Sequence, residues 1–149
     1  MFDSRLRDWY VKSATTPKVT FCVIYKSLQI SILSPSLCQE IVILLDTSGS
    51  MDLGFRLDIA KHVVYNVMAT LSEDDFITVL TFANDTRPLV DWFVDPLGDS
   101  ELVQASKENI GEFTETVKQI KTQGIANFSI AFNTAFNLLE KYRSNKVRK

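Results

Sequence analysis

Residues 41–51 read Ile41-Val42-Ile43-Leu44-Leu45-Asp46-Thr47-Ser48-Gly49-Ser50-Met51. The first five side chains are all aliphatic and show no polar alternation, a pattern typical of a strand buried on both faces of a parallel sheet. Oxygen-bearing side chains follow this strand directly. Because ligands of open parallel sheets bind beyond the carboxyl ends of the strands, we expect this loop to lie at the functional edge of the sheet.

The sequence that follows this loop alternates between helical and strand patterns. Apolar residues at helical spacing run from Leu57 to Leu71, and residues 76–82 form the next apolar strand. A hairpin strand is expected at residues 89–94, with further helices over 110–120 and 130–142. This order predicts an α/β fold: a Rossmann-like, doubly wound, mostly parallel sheet with flanking helices, incomplete at its C-terminus.

Asp46, Ser48 and Ser50 form the candidate metal site. One carboxylate and two hydroxyls on alternate residues of a tight turn are hard oxygen donors, which suit Mg²⁺, Ca²⁺ or Mn²⁺ rather than zinc. Gly49 is expected to give the turn backbone angles that other residues avoid. The competing interpretation is that these side chains only cap the next helix, since Asp and Ser are preferred N-caps. The position of the motif between a buried strand and an amphipathic helix favours the divalent cation.

Composition narrows the class of function. The chain has 149 residues and a net charge of −2, which gives no general electrostatic case for binding nucleic acid or an acidic membrane surface. No window approaches the roughly 18 apolar residues of a membrane span. A glycine-rich phosphate loop and a nucleophile–base signature are both missing from the sequence, which argues against an enzyme. Cys22 and Cys38 are equally compatible with one disulfide and with two free thiols.

Residues 41–51 resemble the metal-ion-dependent adhesion site of von Willebrand factor A domains. The flanking sequence narrows the resemblance to the α2δ auxiliary subunits of voltage-gated calcium channels. Residues 3–10 with Thr16-Pro17-Lys18 resemble the segment that precedes the A domain in that family. Stretches within the domain also match, at residues 70–76, 102–105, 124–125, 131–132 and 135–136.

The resemblance implies a site, a partner and a location. It implies that Asp46, Ser48 and Ser50 hold Mg²⁺ or Ca²⁺, and that an acidic residue of the pore-forming channel subunit completes the coordination. The implied role is to support channel trafficking and to regulate calcium current at the extracellular face of the plasma membrane. This stretch itself shows no signal peptide and no membrane anchor. The alternatives are a general adhesion module that binds matrix or cell-surface proteins, and a metal-dependent hydrolase.

A second loop differs from the family pattern. A threonine there usually adds a metal ligand in A domains, but Ala126 stands at its position and offers no oxygen. Asn127 is the candidate for a weak contribution from this loop. Asn127-Phe128-Ser129 and Asn84-Asp85-Thr86 both match the glycosylation sequon, so Asn84 and Asn127 are also candidate glycosylation sites.

The resemblance divides the chain into four parts. Residues 1–18 end the segment before the A domain, residues 19–39 are an insertion, residues 40–143 are the N-terminal part of the domain, and residues 144–149 are a basic tail. The insertion is either translated intron, since valine codons begin with GT and a glutamine codon can be CAG, or a genuine surface loop. In either case the 41–45 strand has an open edge, at which residues 19–33 could pair.

Overall fold

A mixed six-stranded sheet organises the computed structural model, which describes residues 10–16, 19–27, 39–90 and 102–147. A 3₁₀ helix at Gly49–Phe55 leads from the third strand into the first of three α-helices. The strands are β1 (Tyr10–Thr16), β2 (Val19–Ser27), β3 (Gln39–Asp46), β4 (Phe76–Phe82), β5 (Thr86–Pro88) and β6 (Val103–Gln104). The helices are α1 (Arg56–Met68), α2 (Lys107–Gln119) and α3 (Phe128–Val147).

The pairing of the strands follows from their connections. β3 and β4 run parallel, from Glu40 opposite Phe76 to Asp46 opposite Phe82, because α1 carries the chain back across the sheet between them. The other described pairs, β1 with β2, β2 with β3, and β4 with β5 and β6, are antiparallel. The α/β fold with flanking helices is confirmed. In the described part of the chain the sheet is mixed, with one parallel pair.

β3 is buried on both faces, as its aliphatic run predicts. Ile41, Ile43 and Leu45 belong to a core that they share with residues of α1 and α2. Val42 and Leu44 belong to a second core, which they share with residues of α3. Since alternate side chains of a strand point to opposite faces, this one strand contributes to both cores.

β2 covers the other side of β3. Its register runs from Phe21 opposite Leu45 to Ser27 opposite Gln39, so this region pairs with β3 through residues 21–27. Residues 28–38 lie outside the described part of the chain, and Cys38 is among them. The side chain of Cys22 is likewise outside the description, so the disulfide alternative falls beyond the described residues.

Two predicted boundaries differ from the structure. The hairpin strand expected at residues 89–94 lies instead at Thr86–Pro88, because a tight turn places Thr86 directly opposite Phe82. Residues 91–94 lie outside the described residues. α3 continues to Val147, so the first residues of the expected basic tail extend this helix. No helix in the described ranges combines the length and apolar character needed to cross a membrane.

Asp75 fixes the end of β3 that lies farthest from the candidate metal site. Its Oδ1 accepts a 2.9 Å hydrogen bond from the backbone N–H of Gln39. Its Oδ2 accepts bonds from the backbone N–H of Ser72, at 2.8 Å, and from the Ser72 hydroxyl, at 2.9 Å. The buried carboxylate therefore ties the turn between α1 and β4 to the first residue of β3.

Candidate metal centre at the carboxyl edge of the sheet

The three predicted ligands lie together where β3 ends. Asp46 and Ser48 are only 3% and 2% exposed, whereas Ser50 is exposed. The backbone N–H of Ser48 donates a 2.8 Å hydrogen bond to Oδ1 of Asp46, which folds the chain back on itself. The hydroxyl oxygens of Ser48 and Ser50 lie 3.0 Å apart. The arrangement therefore presents one carboxylate and two hydroxyls from a single turn, with solvent access on the Ser50 side.

The spacing of the two hydroxyls can be compared with the ligand shells of divalent cations. Adjacent ligands of an octahedral Mg²⁺ lie about 2.9 Å apart, since each Mg–O bond is about 2.0–2.1 Å long. Ca²⁺ takes six to eight oxygens at about 2.3–2.6 Å, so neighbouring ligands in its more crowded shell also lie about 3 Å apart. The 3.0 Å between the Ser48 and Ser50 hydroxyls is an ordinary hydrogen-bond distance that fits both cations. The residues present therefore fit a hard divalent cation.

The donor set contains little negative charge. Within residues 39–90 and 102–145, no cluster of three or more His, Cys, Asp and Glu side chains is placed to hold a metal. A cation at this loop would therefore depend on the neutral hydroxyls and on the single carboxylate of Asp46. Since the two hydroxyls are neutral, about half of the charge of a divalent ion would stay uncompensated.

The structure contradicts the interpretation that these side chains only cap the following helix. Ser48 occupies the N-cap position of the 3₁₀ helix, but its side chain makes no capping hydrogen bond. α1 begins only at Arg56, and its N-cap residue, Phe55, likewise has no side-chain cap. The Ser48 hydroxyl faces Ser50 instead of a helical N–H.

The expectation for Gly49 is wrong. Among the described residues a positive φ occurs at Gly54, Phe55 and Gly124, and Gly49 is not one of them. The turn after Asp46 is closed by hydrogen bonds rather than by an unusual backbone conformation at this glycine. The left-handed residues lie just after the turn and in the second loop.

Three loops are joined at this edge by hydrogen bonds. The backbone N–H of Gly49 donates to the carbonyl of Gly124 at 2.9 Å, and that of Gln123 donates to the carbonyl of Thr47 at 2.7 Å. Oδ1 of Asn84, just after β4, accepts a 2.8 Å bond from the N–H of Ile125. The sequence predicts Asn84 only as a glycosylation site. Its position directly after the strand parallel to β3 was the available signal that it would lie beside the metal loop.

The second loop contacts the candidate metal turn through backbone atoms of the loop. Ala126 is half-buried and packs against the core shared by β3 and α3. Oδ1 of Asn127 accepts a 3.3 Å hydrogen bond from the N–H of Ile130, in the first turn of α3. The N–H of Asn127 in turn donates to the carbonyl of Ala83 at 2.9 Å. The structure thus places the Asn127 side chain on a helix N-terminus, and its contribution to a cation stays a prediction.

A polar cleft of about 240 Å³ opens beside these loops. Its described lining includes Thr47, Asn84, Gln123 and the exposed pair formed by Asp85 and Arg87, whose charged groups lie 3.3 Å apart. None of the three candidate ligands lines this cleft. The candidate metal turn therefore lies next to the cleft and does not contribute to its lining.

Comparisons with known proteins agree with this architecture. The family model for the von Willebrand factor type A domain matches residues 41–149. The voltage-dependent calcium channel subunit alpha-2/delta-3 of Mus musculus is 35% identical over 141 residues, which are 95% of this chain and 10% of that protein. The alpha-2/delta-4 subunit of Homo sapiens is 31% identical over 145 residues, 97% of this chain and 10% of that protein. The chain thus spans about a tenth of the length of these curated relatives.

Solved structures show the same fold at low sequence identity. A von Willebrand factor type A protein from Catenulispora acidiphila has a TM-score of 0.58 and 20% identity, covering 94% of this chain and 32% of that one. The PilB minor pilin from Streptococcus sanguinis has a TM-score of 0.52 and 10% identity, covering 89% and 43%.

Proposed function

The chain belongs to the von Willebrand factor type A domain family, and from that membership we propose that it acts as part of a calcium-channel α2δ auxiliary subunit. The relatives named above are channel subunits, so the proposed role is binding and not catalysis. In this role the domain holds a divalent cation and engages the pore-forming subunit at the extracellular face of the plasma membrane. The consequence would be support of channel trafficking and regulation of voltage-gated calcium current.

One observation carries the cation part of the proposal. Asp46 is buried at the end of β3 and its carboxylate accepts a hydrogen bond from the backbone N–H of Ser48, while the hydroxyls of Ser48 and Ser50 lie 3.0 Å apart in the same turn. A bound cation would supply a positive centre that attracts a carboxylate. The protein residues fix where that centre lies, since Asp46 belongs to a strand buried on both faces. The hard oxygen donors of the turn suit Mg²⁺ or Ca²⁺.

The charge at the site supports an acidic partner. Asp46 contributes one negative charge and the serines none, so a divalent ion bound there keeps about one unit of positive charge. An aspartate or glutamate of the pore-forming subunit would neutralise it and take a vacant coordination position. The second loop adds no side-chain oxygen at Ala126, which leaves that position to water, to Asn127 or to the partner.

The two sequon asparagines are proposed as glycosylation sites. Both Asn84 and Asn127 are exposed, and each uses its Oδ1 as a hydrogen-bond acceptor. A glycan attaches to the amide nitrogen, so both contacts are compatible with the modification. Their position beside the second loop would place glycans next to the cation site.

Calorimetry of the 149-residue chain with Mg²⁺ and with Ca²⁺, in the absence of any partner, tests the cation site. We expect saturable heat with Mg²⁺ or Ca²⁺, which is abolished by Asp46→Ala and retained by Asp52→Ala. Asp52 is the matched control because its carboxylate is exposed in the adjacent 3₁₀ helix. Absence of heat with both cations, or equal heat from Asp46→Ala, would contradict the proposed site.

A pull-down tests the partner. Extracellular segments of a pore-forming channel subunit should retain the chain in Mg²⁺ and release it in chelator, and Asp46→Ala should release it as well. Retention by matrix proteins instead of these segments would favour the general adhesion module. Retention that is indifferent to the chelator would exclude a metal-bridged contact.

A further inference from the structure

The two sequon asparagines differ in their surroundings. Asn84 lines the polar cleft beside the candidate metal turn, and Asn127 is not among the described residues that line it. Oδ1 of Asn84 accepts a 2.8 Å hydrogen bond from the N–H of Ile125. Its Nδ2, the atom to which an N-glycan is attached, makes no hydrogen bond within the described part of the chain. The attachment point on Asn84 is therefore held at the wall of the cleft and is open to substitution.

The amide of Asn84 lies tightly against the second loop. A Cβ built on Gly124 would lie 2.8 Å from Oδ1 and 3.2 Å from Nδ2 of Asn84. Glycine at this position therefore lets the whole amide group approach the backbone of the loop. Because the amide is also bonded to Ile125, a sugar attached to Nδ2 begins beside the cleft with little rotational freedom.

The cleft suits a sugar in size and in chemistry. Its 240 Å³ correspond to roughly eight water molecules, which is room for one sugar residue and not for an extended chain. Threonine hydroxyls and the Gln123 amide line it, and the ion pair of Asp85 and Arg87 adds a carboxylate acceptor and guanidinium donors. Among the described lining residues no side chain is aromatic or larger than alanine and apolar. This lining favours a ligand rich in hydroxyl and amide groups.

The walls of the cleft come from three segments of the chain. Thr47 belongs to the turn after β3, residues 81–87 belong to β4 and its hairpin, and residues 123–124 belong to the second loop. The backbone of the second loop is bonded to the turn after β3, through Gly49 and through Thr47. A ligand that forms hydrogen bonds with all three segments would therefore brace the carboxyl edge of the sheet.

From these observations we propose that the polar cleft is the binding site for the first N-acetylglucosamine of a glycan carried by Asn84. A glycan on Asn127, at the exposed start of α3, extends into solvent instead. The inference rests on the proposed function, because only a chain that enters the secretory pathway receives N-glycans. It adds that the two sequons are unequal: the glycan on Asn84 stabilises the fold and the glycan on Asn127 does not.

Variants at the third residue of each sequon remove one glycan while keeping both asparagines. Thr86→Val removes a hydroxyl that is buried and has no hydrogen-bond partner among the described residues. Ser129→Ala removes an exposed hydroxyl for which the described part of the chain offers no contact. The parent 149-residue chain and both variants are secreted behind a cleavable leader from cells restricted to high-mannose glycans. The same three chains are also made in bacteria, which leave them without glycans.

Scanning calorimetry compares the thermal midpoints. We expect the secreted parent to unfold about 2–4 °C above its bacterial counterpart, since a seated sugar adds a few hydrogen bonds. Thr86→Val should lose this gain and Ser129→Ala should keep it, while the three bacterial chains should agree within about 1 °C. Endoglycosidase H leaves a single N-acetylglucosamine on each asparagine, and this trimming should preserve the gain.

Gln123→Ala tests the cleft itself. The Gln123 side chain is exposed and makes no hydrogen bond within the ranges described, so the substitution should leave the midpoint of the bacterial chain unchanged. It should reduce the gain from the sugar to about half, because it removes one of the polar groups that face the cleft. Gln119→Ala, at the exposed end of α2 and outside the lining, is the matched control and should keep the full gain.

Mass spectrometry of the secreted chain separates the possible failures. If Asn84 carries no glycan, the proposed modification is wrong and this inference with it, whatever the Mg²⁺ titration shows for the cation site. If Asn84 is modified but Thr86→Val and Ser129→Ala lower the midpoint equally, the modification stands and the inference is overturned. Loss of the gain on trimming to one sugar, or a full gain in Gln123→Ala, would also overturn it.

Discussion

The backbone N–H of Gly49 donates a 2.9 Å hydrogen bond to the carbonyl oxygen of Gly124, which fastens the second loop onto the turn that carries the candidate cation ligands. The two glycines differ in whether their positions can accommodate a side chain. A Cβ on Gly49 would meet the carbonyl of Gly124 at 3.5 Å, an ordinary contact. A Cβ on Gly124 would lie 2.8 Å from Oδ1 of Asn84, and its φ of +72° already disfavours a side chain.

Alanine substitution of each glycine should therefore have unequal effects. We expect Gly124→Ala to lower the free energy of unfolding by about 1–3 kcal/mol, since it adds both strain and a clash with Asn84. Gly49→Ala should stay within about 1 kcal/mol of the parent chain. Urea denaturation of the two variants measures the difference. Equal destabilisation would show that the contact with Asn84 does not constrain the second loop.

Restoring an oxygen to the second loop should strengthen cation binding. Ala126→Thr adds a hydroxyl at the position where the A-domain pattern has a threonine, and we expect Mg²⁺ affinity to rise by about tenfold. Ala126→Val is the matched control, because valine has nearly the same shape without the oxygen. Calorimetric titration compares the two. A similar gain from valine would indicate that packing against α3, and not ligation, causes the change.

The far end of β3 should depend on Asp75. Asp75→Ala removes three hydrogen bonds to a buried carboxylate, and we expect it to lower the free energy of unfolding by about 2–4 kcal/mol. The neighbouring Asp74 is exposed, and Asp74→Ala should change stability by less than about 0.5 kcal/mol. Chemical denaturation monitored by circular dichroism provides the comparison. If Asp75→Ala lowers the free energy of unfolding as little as Asp74→Ala does, the Asp75 carboxylate does not stabilise this turn.

Residues 19–39 are proposed to be translated intron. The proposal predicts a second, shorter message that lacks these 21 codons and keeps the reading frame. Sequencing of spliced transcripts beside genomic DNA checks it. If every mature message contains the segment, the segment is a genuine insertion, and its pairing with β3 is then part of the native sheet.

The sequence best predicts the elements whose buried side chains recur at a regular spacing along the chain. The aliphatic run at 41–45 specifies β3 because every one of its side chains enters a core. The helical spacing from Leu57 similarly locates α1, because its buried residues Ala60, Val64 and Met68 recur every four positions. Asp46, Ser48 and Ser50 could be placed together because they belong to one turn, and local geometry alone brings them into contact.

The features that the sequence did not predict depend on contacts between distant segments or on strain. Asn84 touches the second loop only because β3 and β4 bring their carboxyl ends to one edge. The left-handed conformation of Phe55 contradicts the ordinary preference of its residue type, and the motif pointed instead to Gly49. The early start of β5 follows from a tight turn that apolar patterning does not detect.

Leu44 and Leu45 are neighbours in the chain, yet they face different helical layers. Neither layer can melt alone without exposing one side of the strand that ends in Asp46. Heating should therefore produce a single endotherm in scanning calorimetry, with no separate event for α3. An ion bound by the turn should raise the midpoint of that whole transition, so a cation held by the side-chain oxygens of one turn would stabilise the entire domain.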